Sequence, residues 1–154
     1  MGVDPGTLRV GYAVLAREAG KPLFPLAYGV IRPGAGDPIE RRLLHIHDEL
    51  SRLIRRWKPD AVALEAAFFG KSIPAALRIG EGRGAALVAA AAAGVPVTSY
   101  APSQVKKAVV GHGTADKRQV QAMTQALLGM EAPATPLDAS DALAIALCHV
   151  HRVP

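Results

Sequence analysis

The chain has 154 residues, half of them hydrophobic, and a formal net charge of +5. That length predicts one domain spanning 1–154, and the apolar fraction argues against extensive disorder. The longest apolar run, 85–93, is well short of the roughly 20 residues needed to cross a bilayer; no charged-then-apolar signal opens the chain; and the lone cysteine, Cys148, rules out an intramolecular disulfide or a cysteine-rich zinc site, so a cytoplasmic protein away from membranes is expected.

In chain order, Val3 ends a first strand that Pro5-Gly6 stops. Residues 9–16 and 23–31 read as second and third strands around a turn at 18–22. Asp37 then reads as a helix cap, with Pro38 suited to the first helical position and Glu40 three residues past the cap. Ile39, Leu43, Ile46, Leu50, Leu53 and Trp57 follow at spacings of four and three, the mark of one buried helical stripe. Lys58 suits the negative end of the helix dipole, and Pro59 stops the helix.

A fourth, buried strand is predicted at 61–64, ending at Glu65, and a second helix at 74–93. Gly80, Gly82 and Gly84 interrupt that helix. Each is about 1 kcal/mol less favourable than alanine in a helix interior, so they need a packing reason such as close approach of another helix. A fifth strand is predicted at 95–98, then helices at 102–110, 115–128 and 137–150. Hairpin strands first, then strands alternating with helices, imply an α/β domain: a five-stranded mixed sheet flanked by helices on both faces.

Four acidic residues stand beside apolar neighbours, where an unpaired carboxylate is unfavourable. They are Asp4, Glu65, Asp138 and Asp141, and the last two are three apart at the start of a predicted helix, so they project to one side. Between Glu65 and Asp138 lie seven basic and three acidic residues, a net +4 framed by the carboxylates. An acidic cluster of hard oxygen donors calls for Mg2+ or Mn2+, and the surrounding positive charge suits a polyanion. Metal-assisted phosphodiester chemistry on nucleic acid is the leading expectation.

At this point a resemblance enters. Gly2-Val3-Asp4-Pro5-Gly6, Leu64-Glu65, Gln104-Val105-Lys106, the run from Val109 to Lys117 and the run from Asp138 to Ala146 resemble RuvC-type Holliday junction resolvases, in order and over nearly the whole chain. The resemblance implies an RNase H-like nuclease domain, a homodimer, and symmetric cutting of four-way DNA junctions to leave 5′-phosphate ends. It also implies a branch-migration motor as partner, and it makes Asp4, Glu65, Asp138 and Asp141 the catalytic ligands of two divalent ions. Lys117 then serves transition-state charge and Lys106 a DNA phosphate. Lys107, Arg118, Lys71, Arg78 and Arg83 are further candidates for a DNA-binding groove. Phe68 resembles an aromatic that stacks on an unpaired base near the crossover, and Phe69 beside it shares that candidacy; a core plug is the plain alternative. Gly80, Gly84 and Ala85 fall on the helix that forms the family's dimer contact.

Three rivals stay open: a different nuclease on the same fold, an ATPase whose phosphate loop is Asp4-Pro5-Gly6-Thr7, and a junction-binding protein with vestigial acids. The histidine pairs 45/47 and 149/151 are two apart on predicted helices and diverge, which makes poor metal clamps.

Overall fold

A computed structural model describes residues 1–66 and 73–153. Five strands form one sheet in the order β3-β2-β1-β4-β5. β1 (Gly2–Asp4), β2 (Val10–Ala16) and β3 (Phe24–Ile31) are antiparallel neighbours, whereas β4 (Val62–Glu65) and β5 (Val97–Tyr100) run parallel to β1. The expected mixed sheet is therefore present, with β1 as the strand where antiparallel pairing gives way to parallel.

Helices cover both faces. On one, α1 (Ile39–Trp57) and α2 (Ile73–Ala92) pack together over a core that includes Val3, Val10, Ile46, Leu50, Leu64 and Ala89. On the other, α3 (Pro102–Val110), α4 (Lys117–Leu127) and α5 (Leu137–Val150) close a second core around Leu143, Ile145 and Leu147. α5 is the central element of that layer: residues 142–148 are all buried, and the helix lies across β1 and β2. Its alanines admit a close approach. A Cβ at Gly2 would collide with the Ala142 carbonyl oxygen, and one at Gly11 with the Asp138 carbonyl oxygen, so both strand positions require glycine.

Several boundaries differ from the sequence-based expectation. Asp37 does not cap α1. Its N–H bonds the Gly34 carbonyl at 3.1 Å and its side chain lies over Gly34, so the cap position falls to Pro38, which offers no side-chain bond. At the far end Lys58 is not in the last helical turn but is the left-handed cap, its N–H on the Ile54 carbonyl at 2.8 Å. Ile54 joins Ile46, Leu50 and Leu53 in the core, while Ile39, Leu43 and Trp57 are half-buried. β5 begins two residues later than expected. Pro96 has no N–H for a ladder, and its carbonyl accepts Val62 N–H at 2.9 Å, so pairing starts at Val62 with Val97 and runs to Glu65 with Tyr100. α4 begins later too, because Asp116 takes the cap: its Oδ1 accepts Gln119 N–H at 2.9 Å while Gln119 Oε1 accepts Asp116 N–H at 2.8 Å.

Candidate active site

The parallel register of β1 and β4, Gly2 with Ala63 and Val3 with Leu64, brings Asp4 and Glu65 side by side where both strands end. Val3 and Leu64 are buried, and the chain then delivers half-buried acidic residues at the C-terminal ends of these two inner strands. Above them runs the start of α5. The contact of Gly11 with the Asp138 backbone pins that first turn to β2, and the i, i+3 spacing turns Asp138 and Asp141 to the same side. All four acids line one cavity of about 500 Å³, together with Arg9, Lys106 and Lys117. Residues separated by most of the chain thus meet at one end of the sheet.

The electrostatics show how closely they meet. The Asp4 carboxyl is pushed up from 3.8 to about 7, first by burial and then by the negative charges of Glu65, Asp141 and Asp138; Lys117 opposes the rise. Lys117 donates to Asp141 Oδ2 at 3.1 Å, and its amine is held above its ordinary value by the Asp141 charge and that hydrogen bond. The cap formed by Asp116 sets this contact, because it starts α4 at Lys117 and aims the first turn at α5. Arg9, at the mouth of β2, reaches Asp138 Oδ2 at 3.8 Å.

A divalent cation is implied by this donor set, and the residues fit one: four carboxylates, hard oxygen ligands, whose mutual repulsion an ion would relieve. Among the described residues no three His, Cys, Asp or Glu side chains form a ready-made metal cage.

The other expected residues divide into groups. Lys106 lines the cavity from α3. Lys107 and Arg118 are exposed on α3 and α4 outside its lining, and Arg78 is exposed on α2. Arg83 is tied to Ser99, its Nη2 donating to the hydroxyl at 2.7 Å. Phe68, Phe69 and Lys71 lie outside the described residues. Of the three glycines in α2, Gly82 alone is explained by contacts among the described residues, since a Cβ there would strike the Gly6 carbonyl oxygen. Among the described residues nothing lies within 4 Å of a Cβ placed at Gly80 or Gly84, and Ala85 instead packs against its own core. Arg9 was not anticipated. The available signal was its place in the five-residue turn between Asp4 and Val10, which returns the chain to the acidic end of the sheet.

Comparison with known proteins agrees with this arrangement. The family model described as crossover junction endodeoxyribonuclease RuvC matches residues 1–149. The crossover junction endodeoxyribonuclease RuvC of Thermomicrobium roseum is 46% identical over 149 residues, covering 97% of this chain and 90% of the relative. That of Chloroflexus aggregans is 46% identical over 154 residues, covering 100% and 93%. Among solved structures, Thermus thermophilus RuvC in complex with Holliday junction substrate superposes with a TM-score of 0.91 at 39% identity, over 97% of this chain and 91% of that one. The yeast mitochondrial Holliday junction resolvase Ydc2, at 12% identity and a TM-score of 0.70 over 97% and 78% of the chains, shares the fold.

Proposed function

The chain belongs to the RuvC family of crossover junction endodeoxyribonucleases, and from that premise we propose that it cuts four-way DNA junctions in the cavity framed by Asp4, Glu65, Asp138 and Asp141. The observation that carries the assignment is the convergence of four acids from distant parts of the chain on one cavity, where burial first and then the charges of Glu65, Asp141 and Asp138 raise the Asp4 carboxyl to about 7. Two Mg2+ or Mn2+ ions held by these four side chains would activate the attacking water and neutralise charge on the phosphate and the departing oxygen.

The chain's own residues do the rest. The strand-end acids and the α5 acids supply oxygen ligands from rigid elements, so their spacing survives substrate binding. Lys117 sits with its ammonium on Asp141 and is placed to meet negative charge growing on the scissile phosphate. Lys106 contacts the DNA backbone from the cavity wall. Lys107, Arg118 and Arg78 extend a basic track; the family resemblance adds Lys71 to DNA binding and Phe68 or Phe69 to stacking on a base at the crossover. Hydrolysis leaves a 5′-phosphate and a 3′-hydroxyl.

Symmetric cutting needs two such sites, and we assign the dimer contact to α2. Ile73, Leu77, Gly80, Gly84 and Val88 fall on one side of that helix, with Ile73 85% and Leu77 63% exposed and, among the described residues, no atom within 4 Å of a Cβ placed at either glycine. A second copy of the chain covers such a stripe and lets two helix backbones approach closely. Among the described residues no helix is long and apolar enough to cross a membrane; we propose a cytoplasmic location and a branch-migration motor as partner, both supported by the family resemblance alone. The test is cleavage of a synthetic mobile junction in Mg2+ and Mn2+ with the product ends mapped. Paired symmetric nicks bearing 5′-phosphates are expected; cutting of plain duplex or RNA–DNA hybrid in preference to the junction would overturn the assignment.

A further inference from the structure

Among the described residues, Arg9 is the one cation lining the cavity that the scheme above does not use. Two glycine contacts fix its position. A Cβ at Gly6 would collide with the Arg9 carbonyl oxygen, so the turn after Asp4 folds tightly back on itself. Two residues on, Gly11 presses against the Asp138 backbone, so the start of β2 and the start of α5 cannot move independently. Val10 is fully buried, and strand alternation therefore turns Arg9 away from the core and into the cavity mouth. There its guanidinium stands 3.8 Å from Asp138 Oδ2, with 62% of the side chain exposed. A contact that long and that wet is weak, and easily exchanged.

The charge balance says what it exchanges for. Among the described residues four carboxyl groups and three cations (Arg9, Lys106, Lys117) line the cavity, an excess of one negative charge when every carboxyl is ionised. Two divalent ions reverse that to an excess of three positive charges. Once its carboxylate is engaged elsewhere, Arg9 loses its partner, and the nearest replacement is the substrate backbone. Guanidinium suits this role because its planar fork matches two phosphate oxygens.

We propose that Arg9 is a phosphate-binding residue of the cutting site, stored on Asp138 in the ion-free protein and transferred to a DNA phosphate beside the cut when divalent ions take the carboxylates. The inference rests on junction cleavage in this cavity. It makes the turn between β1 and β2 part of the DNA-binding surface, alongside the lysines of α3 and α4.

The experiment compares wild type, Arg9→Ala and Arg9→Lys for binding of an immobile synthetic four-way junction, in chelator and in calcium, across a salt series, with junction integrity checked at each point. In calcium, Arg9→Ala should bind roughly tenfold more weakly, with the slope of log affinity against log salt smaller by about one phosphate contact. Arg9→Lys should retain the slope. In chelator the alanine variant should lose less affinity than in calcium, because Asp138 then competes with DNA for the guanidinium. Unchanged binding of Arg9→Ala in calcium would overturn the phosphate contact, and an equal loss in chelator and calcium would overturn the exchange. Circular dichroism separates both from misfolding, since an exposed side chain should be dispensable to the fold. Wild-type protein that ignores the junction in calcium would reject cleavage at this site, and the role of Arg9 with it.

Discussion

The ammonium of Lys117 lies 3.1 Å from Oδ2 of Asp141, closing a contact across 24 residues of chain. It joins the first residue of α4 to the first turns of α5, and it supplies positive charge where the carboxylates are densest. Removing it should leave folding nearly intact, since an exposed ion pair contributes at most about 1 kcal/mol. Cleavage is different. Lys117→Ala should lower the single-turnover cutting rate by about 10²- to 10³-fold, the loss typical of one preorganised charge-stabilising donor, while junction binding falls far less. A rate within a factor of two of wild type would remove Lys117 from the chemistry.

The raised carboxyl of Asp4 makes a stability prediction with a definite sign. Its value is about 7 in the folded chain against 3.8 ordinarily, so folding favours the protonated form. The ion-free protein should therefore lose stability as pH rises from about 4 to about 7 and level off above that, by no more than about 4 kcal/mol. Asp4→Asn abolishes this dependence. In chelator at pH 8 the asparagine variant should melt higher than wild type, and near pH 4 the two should converge. Thermal denaturation at the two pH values decides it, and equal melting at pH 8 would show that the acids are not crowded.

Metal use should follow the same carboxyl. Below pH 7 protons compete with divalent ions for Asp4, so the apparent affinity for Mg2+ should fall as pH drops. More Mg2+ should then move the midpoint of the pH–rate profile to lower pH. A midpoint indifferent to metal concentration would mean that ion binding and Asp4 ionisation are independent.

The glycines of α2 predict opposite outcomes on one helix. Gly82→Ala forces a methyl into the Gly6 carbonyl and should destabilise by about 1–3 kcal/mol, as overpacking does. Gly80→Ala meets open space within the chain and should gain up to about 1 kcal/mol of helix stability in the monomer. Chemical denaturation of both variants measures the contrast.

The same helix tests assembly. Leu77 is 63% exposed on the outward stripe, and Leu77→Glu places a charge there without disturbing the core. Sedimentation at micromolar concentration should show a dimer for wild type and a monomer for the variant. A wild-type monomer, or a variant dimer, would move the contact elsewhere.

Legibility differed by element. The stripe along α1 was plain because its period repeats over five turns, and α5 because its apolar run is unbroken past Asp141. β5 was displaced because Val95 looks like a strand residue in isolation, whereas Pro96 and the Val62 N–H decide where the ladder begins. Asp37 carries the usual chemistry of a cap, yet its side chain folded back over Gly34 instead. Ala85 looked equivalent to its glycine neighbours until the turn of the helix directed it inward.

Residue chemistry and local periodicity are enough to specify a layered α/β domain and to single out Asp4, Glu65, Asp138 and Asp141, because carboxylates beside apolar residues are conspicuous without coordinates; Lys106 and Lys117 stood out only through the family resemblance. Which charges neighbour which is another matter. The pairing of Lys117 with Asp141, the reach of Arg9 to Asp138 and the elevation of the Asp4 carboxyl all depend on strand register and on how closely α5 lies on β1 and β2. Those distances arise from packing between segments remote in the chain, and Coulomb energies follow distance and burial rather than sequence order.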